Sequence, residues 1–491
     1  MPSPTSHAKR DEGQAEEANG AVGRLPRQIL DEFDPAYVRN VLDPFFGSRT
    51  YTGERPSLPM IDVAFSKENA LAPQLWGMLS DSWTPCPQEG VTVFLQGLER
   101  RGPGNLRKKM YMSAVTPDLY AAMYREKVSH FFNALLADEN AGKPLMGEYL
   151  HRYFGLYWDL HLGVAGNAVP EEVLQISHSF NAVLAYRDPT LRTYYENYVK
   201  VRALREFLKG WIDEQISDLL EGRIPQPETT FVYYWMKNGG GGDHFRRQDV
   251  VFECFHNFVA FSQWGKMLFN IMSRLRRDGD PDVRAWFNKT MQSEPDGGVF
   301  TPLERLVMEL FRTISPNPGS ISVIQESQPA PDNRSALVIT PHASTSFEPR
   351  HWSDPATFDP DRYLSAPTSH EIDAARTAQM GFARRPFEAD PFDVKDGRPA
   401  ALQSSGFGTV FGVVDGQPQP VCDYAGYAPF GFGYRRCPGE LLTIGVFSDF
   451  LKAVWQRKIE FEQLDIADPV RLPVGPGAVI ADTIGFRPAA A

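Results

Sequence analysis

One loop near the C-terminus constrains this chain of 491 residues more than any other segment. It spans residues 430–439, reads FGFGYRRCPG, and is followed from Glu440 by apolar residues at helical spacing. Gly433 and Gly439 have no Cβ, so the backbone can turn sharply and approach a ligand closely. The thiolate of Cys437 is a soft anionic donor for a metal ion, and N–H groups of a tight turn stabilise its charge. The segment therefore predicts a loop that presents a thiolate directly before a helix.

The loop resembles the cysteine loop of the cytochrome P450 superfamily, whose pattern is Phe-x-x-Gly-x-Arg-x-Cys-x-Gly. Phe430, Gly433, Arg435, Cys437 and Gly439 meet every fixed position. The resemblance implies that Cys437 ligates the iron of heme b, that Arg435 binds a heme propionate, and that the thiolate favours O–O bond cleavage. The alternative is a buried cysteine in a glycine-rich turn, which five matched positions disfavour.

Two further motifs precede the loop in the order that the superfamily shows. Residues 303–313 are predicted to form a helix with Glu309 and Arg312 on one face. By itself this pair indicates only a solvated ion pair. Residues 352–363 then match the superfamily pattern Trp-x-Asp-Pro-x-x-Phe-x-Pro-x-Arg. The resemblance implies that Glu309, Arg312 and Arg362 form a buried structural triad.

A basic stretch upstream is the remaining cofactor candidate. Arg107 and Lys108 lie where superfamily members often have a helix that binds a propionate. A solvated basic face is the equal alternative.

The resemblance implies a mainly α fold with small β-sheets, the cytochrome P450 fold. We expect a polar, disordered tail over residues 1–24, a single heme domain over 25–491, and an insertion over 365–415 before the cysteine loop. Helical patterns cover residues 121–138, 173–221 and 245–276, and strand and turn patterns cover 341–352 and 406–421.

Composition excludes several classes of protein. A net charge of −11 gives no general basis for nucleic-acid binding. Four cysteines form no disulfide framework in a chain this long, and no run of eighteen apolar residues predicts a membrane anchor. We expect a monomeric, cytoplasmic protein that acts on a small, largely apolar metabolite of natural-product or lipid metabolism.

The predicted distal helix departs from the oxygen-activating members of the superfamily. Those members carry an acid and an alcohol that relay protons to bound dioxygen, whereas this chain has Gln263 and Trp264 in the corresponding positions. A carboxamide does not titrate near neutral pH, and an indole N–H is only a donor. Both usual proton-delivery groups are therefore missing.

The same helix is similar over about a dozen residues to the allene oxide synthase and hydroperoxide lyase branch. Asn257 belongs to a matching His-Asn pair, Phe261 and Trp264 also match, and Ser262 stands at the position of that branch's catalytic asparagine. The branch cleaves a substrate's own O–O bond with neither dioxygen nor a reductase. The resemblance makes catalytic candidates of Asn257, Ser262, Gln263 and Trp264.

Phe258, Ala260 and Phe261 are candidates for the substrate pocket. The alternative for the aromatic residues is an aromatic face that packs against neighbouring helices.

Three functions remain open at this point. One is peroxide-dependent oxidation or hydroperoxide rearrangement. A second is monooxygenation or oxidative coupling with dioxygen, which needs a ferredoxin or flavodoxin reductase system and protons from water or substrate. The third is a non-catalytic heme-binding or sensor protein. Such a protein requires neither a thiolate loop nor a buried triad.

Overall fold

The computed structural model describes residues 70–71, 114–185, 191–238, 247–296, 300–316, 320–323, 337–340, 346–347, 349, 352–365, 411–414, 417–420, 427, 429–430, 437 and 439–488. This part of the protein is mainly helical with small antiparallel sheets, as the sequence predicted. No helix in it is both long and apolar enough to cross a membrane.

A short helix, Pro117–Leu119, continues into a π-helical segment, Tyr120–Tyr124, ahead of the longer helices. The longer helices are α1 (Arg125–Leu135), α2 (Leu145–Leu162), α3 (Glu171–Ala185), α4 (Leu191–Leu220), α5 (Phe231–Asn238), α6 (Arg247–Phe261), α7 (Gln263–Leu275), α8 (Pro281–Met291), α9 (Pro302–Ile314) and α10 (Glu440–Gln456).

The strands among the described residues form four small sheets, all antiparallel. They are β1 (Ala70–Leu71), β2 (Ser320–Val323), β3 (Leu337–Thr340), β4 (Phe411–Val414), β5 (Gln417–Pro420), β6 (Ile459–Gln463), β7 (Arg471–Gly475), β8 (Ala478–Ala481) and β9 (Ile484–Pro488). β1, β2 and β3 form one sheet, and the others pair as β4 with β5, β6 with β9, and β7 with β8.

The structure confirms some of the predicted elements and corrects others. The predicted helices at 303–313 and after Glu440 are α9 and α10, and the strand material at 406–421 contains β4 and β5. The pattern over 173–221 is divided between α3 and α4. The helix predicted over 245–276 is present as α6 and α7, divided at one turn residue, Ser262, whose N–H still donates to the carbonyl of Phe258 at 2.9 Å. The predicted tail and most of the predicted insertion lie outside the described residues.

The start of α9 is encoded locally. Thr301 is the N-cap, and its hydroxyl accepts from the backbone N–H of Glu304 while the Glu304 carboxylate accepts from the N–H of Thr301. Pro302 occupies the first turn, where its missing N–H costs nothing. This capping box fixes the register of the helix that carries the predicted ion pair.

The start of α2 depends instead on a distant part of the chain. Pro144, at the N-cap position, makes no side-chain cap. The buried carboxylate of Asp482 accepts from the N–H groups of Met146 and Gly147, at 3.1 and 2.7 Å. At the other end, Gly163 adopts φ 73°, the left-handed conformation that favours glycine at a helix C-terminus.

Strand β7 packs against α2, α3 and α7. The Asn181 side chain on α3 donates to the carbonyl of Pro473 at 2.7 Å, and the N–H of Gly477, in the β7–β8 turn, donates to the carbonyl of Leu184 at 2.9 Å. These hydrogen bonds fix the hairpin against the end of α3.

Asp482→Ala should lower the free energy of unfolding by about 0.5–2 kcal/mol, because two N–H groups of α2 lose their acceptor. Asp482→Asn keeps an acceptor and should lose less than half as much. Thermal unfolding followed by circular dichroism measures both, and equal stability of the Ala variant and the native protein would contradict the capping role.

The same residue gives a pH dependence. Burial raises the pKa of Asp482 above its ordinary value of 3.8, against the lowering effect of the two N–H groups. The folded protein thus binds this proton more tightly than the unfolded chain, so the carboxyl's contribution to stability falls as pH rises from that value through the folded pKa. Asp482→Asn should lack this decline in a pH series of melting temperatures.

Candidate active site around Cys437

Cys437 lies just before α10, as the sequence predicted. Its N–H donates to the carbonyl of Phe430 at 2.7 Å, and its side chain is half-buried. Gly439 is the N-cap residue of α10, so the sulfur lies at the N-terminal end of a helix. The helix dipole and the N–H groups there favour an anionic sulfur. Gly433 and Arg435 lie outside the described residues, as do Arg107 and Lys108.

The chemistry of this donor fits a cofactor that brings most of its own ligands. No group of three or more His, Cys, Asp or Glu side chains that could hold a metal ion occurs in the described part of the chain. A single thiolate supplies one ligand to a metal ion, so the remaining ligands must come from the cofactor. A porphyrin supplies them in this way. At Gly439, a Cβ would lie 3.7 Å from the Cys437 sulfur, which is ordinary contact.

The ring of Phe430 anchors the loop. This ring is buried and stacks on Phe311 of α9, with centroids 5.2 Å apart and an interplanar angle of 18°. Phe311 also meets Phe447 of α10 edge to face. The loop is thereby positioned by both α9 and α10.

The structure brings together the three residues of the predicted triad. Arg312 donates to both carboxylate oxygens of Glu309, each at 2.7 Å, and both side chains are fully buried. Arg362 donates to the same carboxylate through Nε at 3.1 Å. Two guanidinium groups thus face one carboxylate, which is why the pair can remain charged away from water.

Further hydrogen bonds complete this group. The Tyr363 hydroxyl donates to Glu309 Oε2 at 3.1 Å, and the N–H of Asp359 donates to Oε1 at 3.0 Å. Arg312 Nη1 also donates to the carbonyls of Ser346 and Pro355. Sequence reasoning missed Tyr363, although its position directly after the predicted Arg362 indicated that it could approach the same carboxylate.

Glu309→Ala should reduce the free energy of unfolding by about 3–5 kcal/mol, because two buried guanidinium groups lose their counter-charge. Glu460→Ala is the control: Glu460 pairs with Arg487 at 3.4 Å with both side chains about half exposed, and such pairs contribute about 0–1 kcal/mol. Chemical denaturation measures both, and similar losses in the two variants would contradict the buried network.

The distal helix is interrupted by one residue. α6 ends at Phe261, Ser262 is a turn residue, and α7 begins at Gln263. The β7–β8 turn packs at this point: a Cβ on Gly475 would lie 2.8 Å from the carbonyl oxygen of Ser262. The local sequence does not predict a turn at Ser262. The residue that packs closely there, Gly475, is distant in sequence.

Trp264 joins the distal helix to the cysteine helix. Its buried indole N–H donates to the hydroxyl of Thr443 on α10 at 3.3 Å. Its ring also packs on Phe261, with centroids 4.5 Å apart. Since the single N–H is engaged, Trp264 places α7 against α10. Gln263 beside it is half-exposed and Ser262 is buried.

Asn257 faces α2. Its amide Nδ2 donates to His161 Nε2 at 2.9 Å, and His161 Nδ1 lies 2.7 Å from the carbonyl of Tyr157. This pattern assigns the ring proton to Nδ1. Burial lowers the pKa of His161 to about 3, so the ring is neutral at physiological pH. The catalytic role predicted for Asn257 stays a prediction.

The two candidate pocket aromatics pack with α2. Phe258 stacks on Tyr157 at 4.6 Å and 23°, and Phe261 meets Tyr157 and His161 edge to face. These contacts agree with the alternative of a packed aromatic face. The side chain of Ala260 lies outside the described residues, and the assignment of all three to a substrate pocket stays a prediction.

Gly265→Ala should cost about 1–3 kcal/mol of folding stability, because its Cβ would lie 2.6 Å from the carbonyl oxygen of Val474 and force the backbone to shift. Gly210→Ala on α4 is the matched control, since no atom lies within 4 Å of its Cβ position. That change should stabilise the exposed helix by about 0.5–1 kcal/mol. A tolerated Gly265→Ala in thermal unfolding would show that β7 can move away from α7.

Comparison with solved structures decides the fold. Cytochrome P450EX alpha (CYP152N1) with myristic acid has a TM-score of 0.53 and 13% sequence identity, covering 87% of each chain. The chain has the cytochrome P450 fold. Cytochrome P450 OleT in complex with arachidonic acid gives a TM-score of 0.50 at 16% identity, over 88% of this chain and 87% of the other. The retinoic acid-bound cyanobacterial CYP120A1 gives 0.50 at 13% identity, over 85% and 88%.

No protein-family model matches the chain, and no curated protein matches it. The P450 fold is therefore carried here by a divergent sequence.

Proposed function

We propose that the protein is a heme-thiolate enzyme in which Cys437 ligates the iron, and that it uses a peroxide or hydroperoxide to transform a small, largely apolar molecule. When bound, heme with a thiolate ligand supplies the electron density that cleaves an O–O bond. The protein's own contributions are to hold the sulfur, to place the distal helix and to exclude water.

The observation that carries the proposal is the arrangement of the first turn of α7 against α10. By the sequence resemblance Trp264 corresponds to the alcohol of oxygen-activating P450 enzymes, and its only polar side-chain atom donates to Thr443. From Ala260 to Asn270 the sequence contains no carboxylate, histidine or threonine. An oxidant that already contains the O–O bond avoids the delivery of two external protons that dioxygen reduction requires.

The sulfur is held for this role by its surroundings. The hydrogen bond from the Cys437 N–H to Phe430 fixes the backbone, and the N-terminus of α10 stabilises the anionic form. Cys254 differs in both respects. It is fully buried in α6, and burial raises the pKa of its thiol well above the ordinary range, so it remains protonated and unreactive.

The proposed substrate class is suggested by the compared proteins. The three compared P450 structures hold myristic, arachidonic and retinoic acid, each a long apolar carboxylic acid. We propose a lipid-like or natural-product substrate.

Turnover of candidate apolar acids with hydrogen peroxide, compared with dioxygen plus a surrogate reductase, tests the proposed oxidant. We expect at least about tenfold faster product formation with peroxide, because general acid–base groups that supply about 10²–10⁴-fold are missing for dioxygen. Product formation tightly coupled to reductase electrons, with no response to peroxide, would identify an ordinary monooxygenase.

The thiolate assignment has its own test. Cys437→Ser should abolish the red-shifted band of the ferrous carbon monoxide complex, whereas Cys254→Ser should keep it. Retention of the band in the Cys437 variant would refute the assignment.

A further inference from the structure

Thr443 lies on the face of α10 that is nearest to the sulfur. Its N–H donates to the carbonyl of Gly439 at 2.9 Å, so the two residues are one helical turn apart. A Cβ at Gly439 would lie 3.7 Å from the Cys437 sulfur. Cβ atoms four residues apart on a helix are separated by about 5–6 Å, so the Thr443 Cβ lies within about 10 Å of the sulfur.

The Trp264 indole reaches this face of α10 from the distal helix. Its N–H donates to the Thr443 hydroxyl oxygen at 3.3 Å, and each of the two residues is only 7% exposed. On α7's own side the ring packs on Phe261, with centroids 4.5 Å apart and an interplanar angle of 50°. The indole is therefore held at both ends.

The hydrogen bond joins two helices that pack little against each other. In the described part of the chain, α7 packs against α8, α9 and β7 more extensively than against α10. A long side chain is therefore required to reach α10 from α7. Because Thr443 lies 179 positions after Trp264, no local sequence pattern indicates this contact.

The acceptor at residue 443 controls the indole. An indole N–H is only a donor, so the buried Trp264 needs an acceptor. An unpaired N–H in an apolar environment costs free energy, and the ring would turn to find another partner. The β-branched side chain of Thr443 has restricted rotamers in a helix, so its oxygen stays in place.

We propose that Thr443 is a positioning residue for the cofactor: its hydroxyl holds the Trp264 indole at the edge of the heme bound to Cys437, and the indole closes that edge. A planar cofactor coordinated at its centre extends sideways from the sulfur, so side chains on this face of α10 adjoin it. The inference rests on the heme ligation in the proposed function and is independent of the oxidant.

A second hydrogen bond of the same type provides a matched control. Trp158 Nε1 donates to the hydroxyl of Ser177 at 3.2 Å, and both residues are fully buried. This bond joins α2 to α3, and the Trp158 ring packs on Trp211 and Phe258, so it has no contact with α10. Its loss should affect folding stability in the same way as the loss of the Trp264 bond, without affecting the heme.

Heme release tests the proposal without turnover. Thr443→Val, Thr443→Ser and Ser177→Ala are prepared as heme-loaded proteins, and heme transfer to excess apomyoglobin is followed by absorbance. Thr443→Val keeps the shape of the side chain and removes the acceptor, so we expect about tenfold faster release. Thr443→Ser and Ser177→Ala should stay within about twofold of the native rate. Unchanged release from Thr443→Val, or equal acceleration by Ser177→Ala, would overturn the proposal.

A double-mutant cycle shows whether Thr443 acts through the indole. In a Trp264→Phe background the donor is already absent, so Thr443→Val should accelerate release by less than about twofold. The same acceleration in both backgrounds would mean that Thr443 acts without Trp264, and would overturn the positioning role.

A spectroscopic signature tests the hydrogen bond itself. The contribution of Trp264 to the ultraviolet resonance Raman spectrum is isolated by subtracting the spectrum of Trp264→Phe. Thr443→Val should shift the indole band that is sensitive to N–H hydrogen bonding, and Thr443→Ser should not. An unshifted band in Thr443→Val would overturn the contact. A native protein that binds heme but does not turn over peroxide would refute the proposed oxidant, and the release rates would still decide the role of Thr443.

Discussion

The buried ion pairing of the Glu309 carboxylate with Arg312 and Arg362 is the interaction on which the segment before the cysteine loop depends. A buried carboxylate needs several donors to stay charged, and Arg312, Arg362, Tyr363 and the N–H of Asp359 all supply them. Arg312 also donates to backbone carbonyls of the following segment. One charge on α9 therefore fixes a stretch of irregular backbone that has little secondary structure of its own.

The influence of this network extends to the cysteine loop through aromatic contacts. Tyr363 meets Tyr427 edge to face, with centroids 5.6 Å apart, and Tyr427 lies 6.3 Å from Phe430. Phe430 in turn accepts the hydrogen bond from Cys437. The position of the sulfur is thus set by packing that begins at a buried ion pair, so the triad can affect cofactor retention without touching the cofactor.

The features that the sequence predicted well are those specified by nearby residues. The Glu309–Arg312 spacing and the capping box at Thr301 are local, and the order of the motifs placed Cys437 directly before α10. The interruption at Ser262 was missed because a turn from a distant hairpin packs there. The partner of Asn257 was missed for the same reason, since His161 belongs to another helix and no sequence spacing relates the two.

The cap on α2 has a consequence for how the chain is made. Asp482 lies 336 residues after Met146, and the N–H of Gly142 likewise donates to the carbonyl of Phe486. During synthesis the N–H groups at the beginning of α2 can find their acceptor only after the segment around Asp482 has been made. Contacts so distant in sequence are slow to form and leave partly assembled chains exposed to aggregation. The start of α2 is therefore completed only by a segment made 336 residues later, and formation of this part of the core must follow synthesis of that segment.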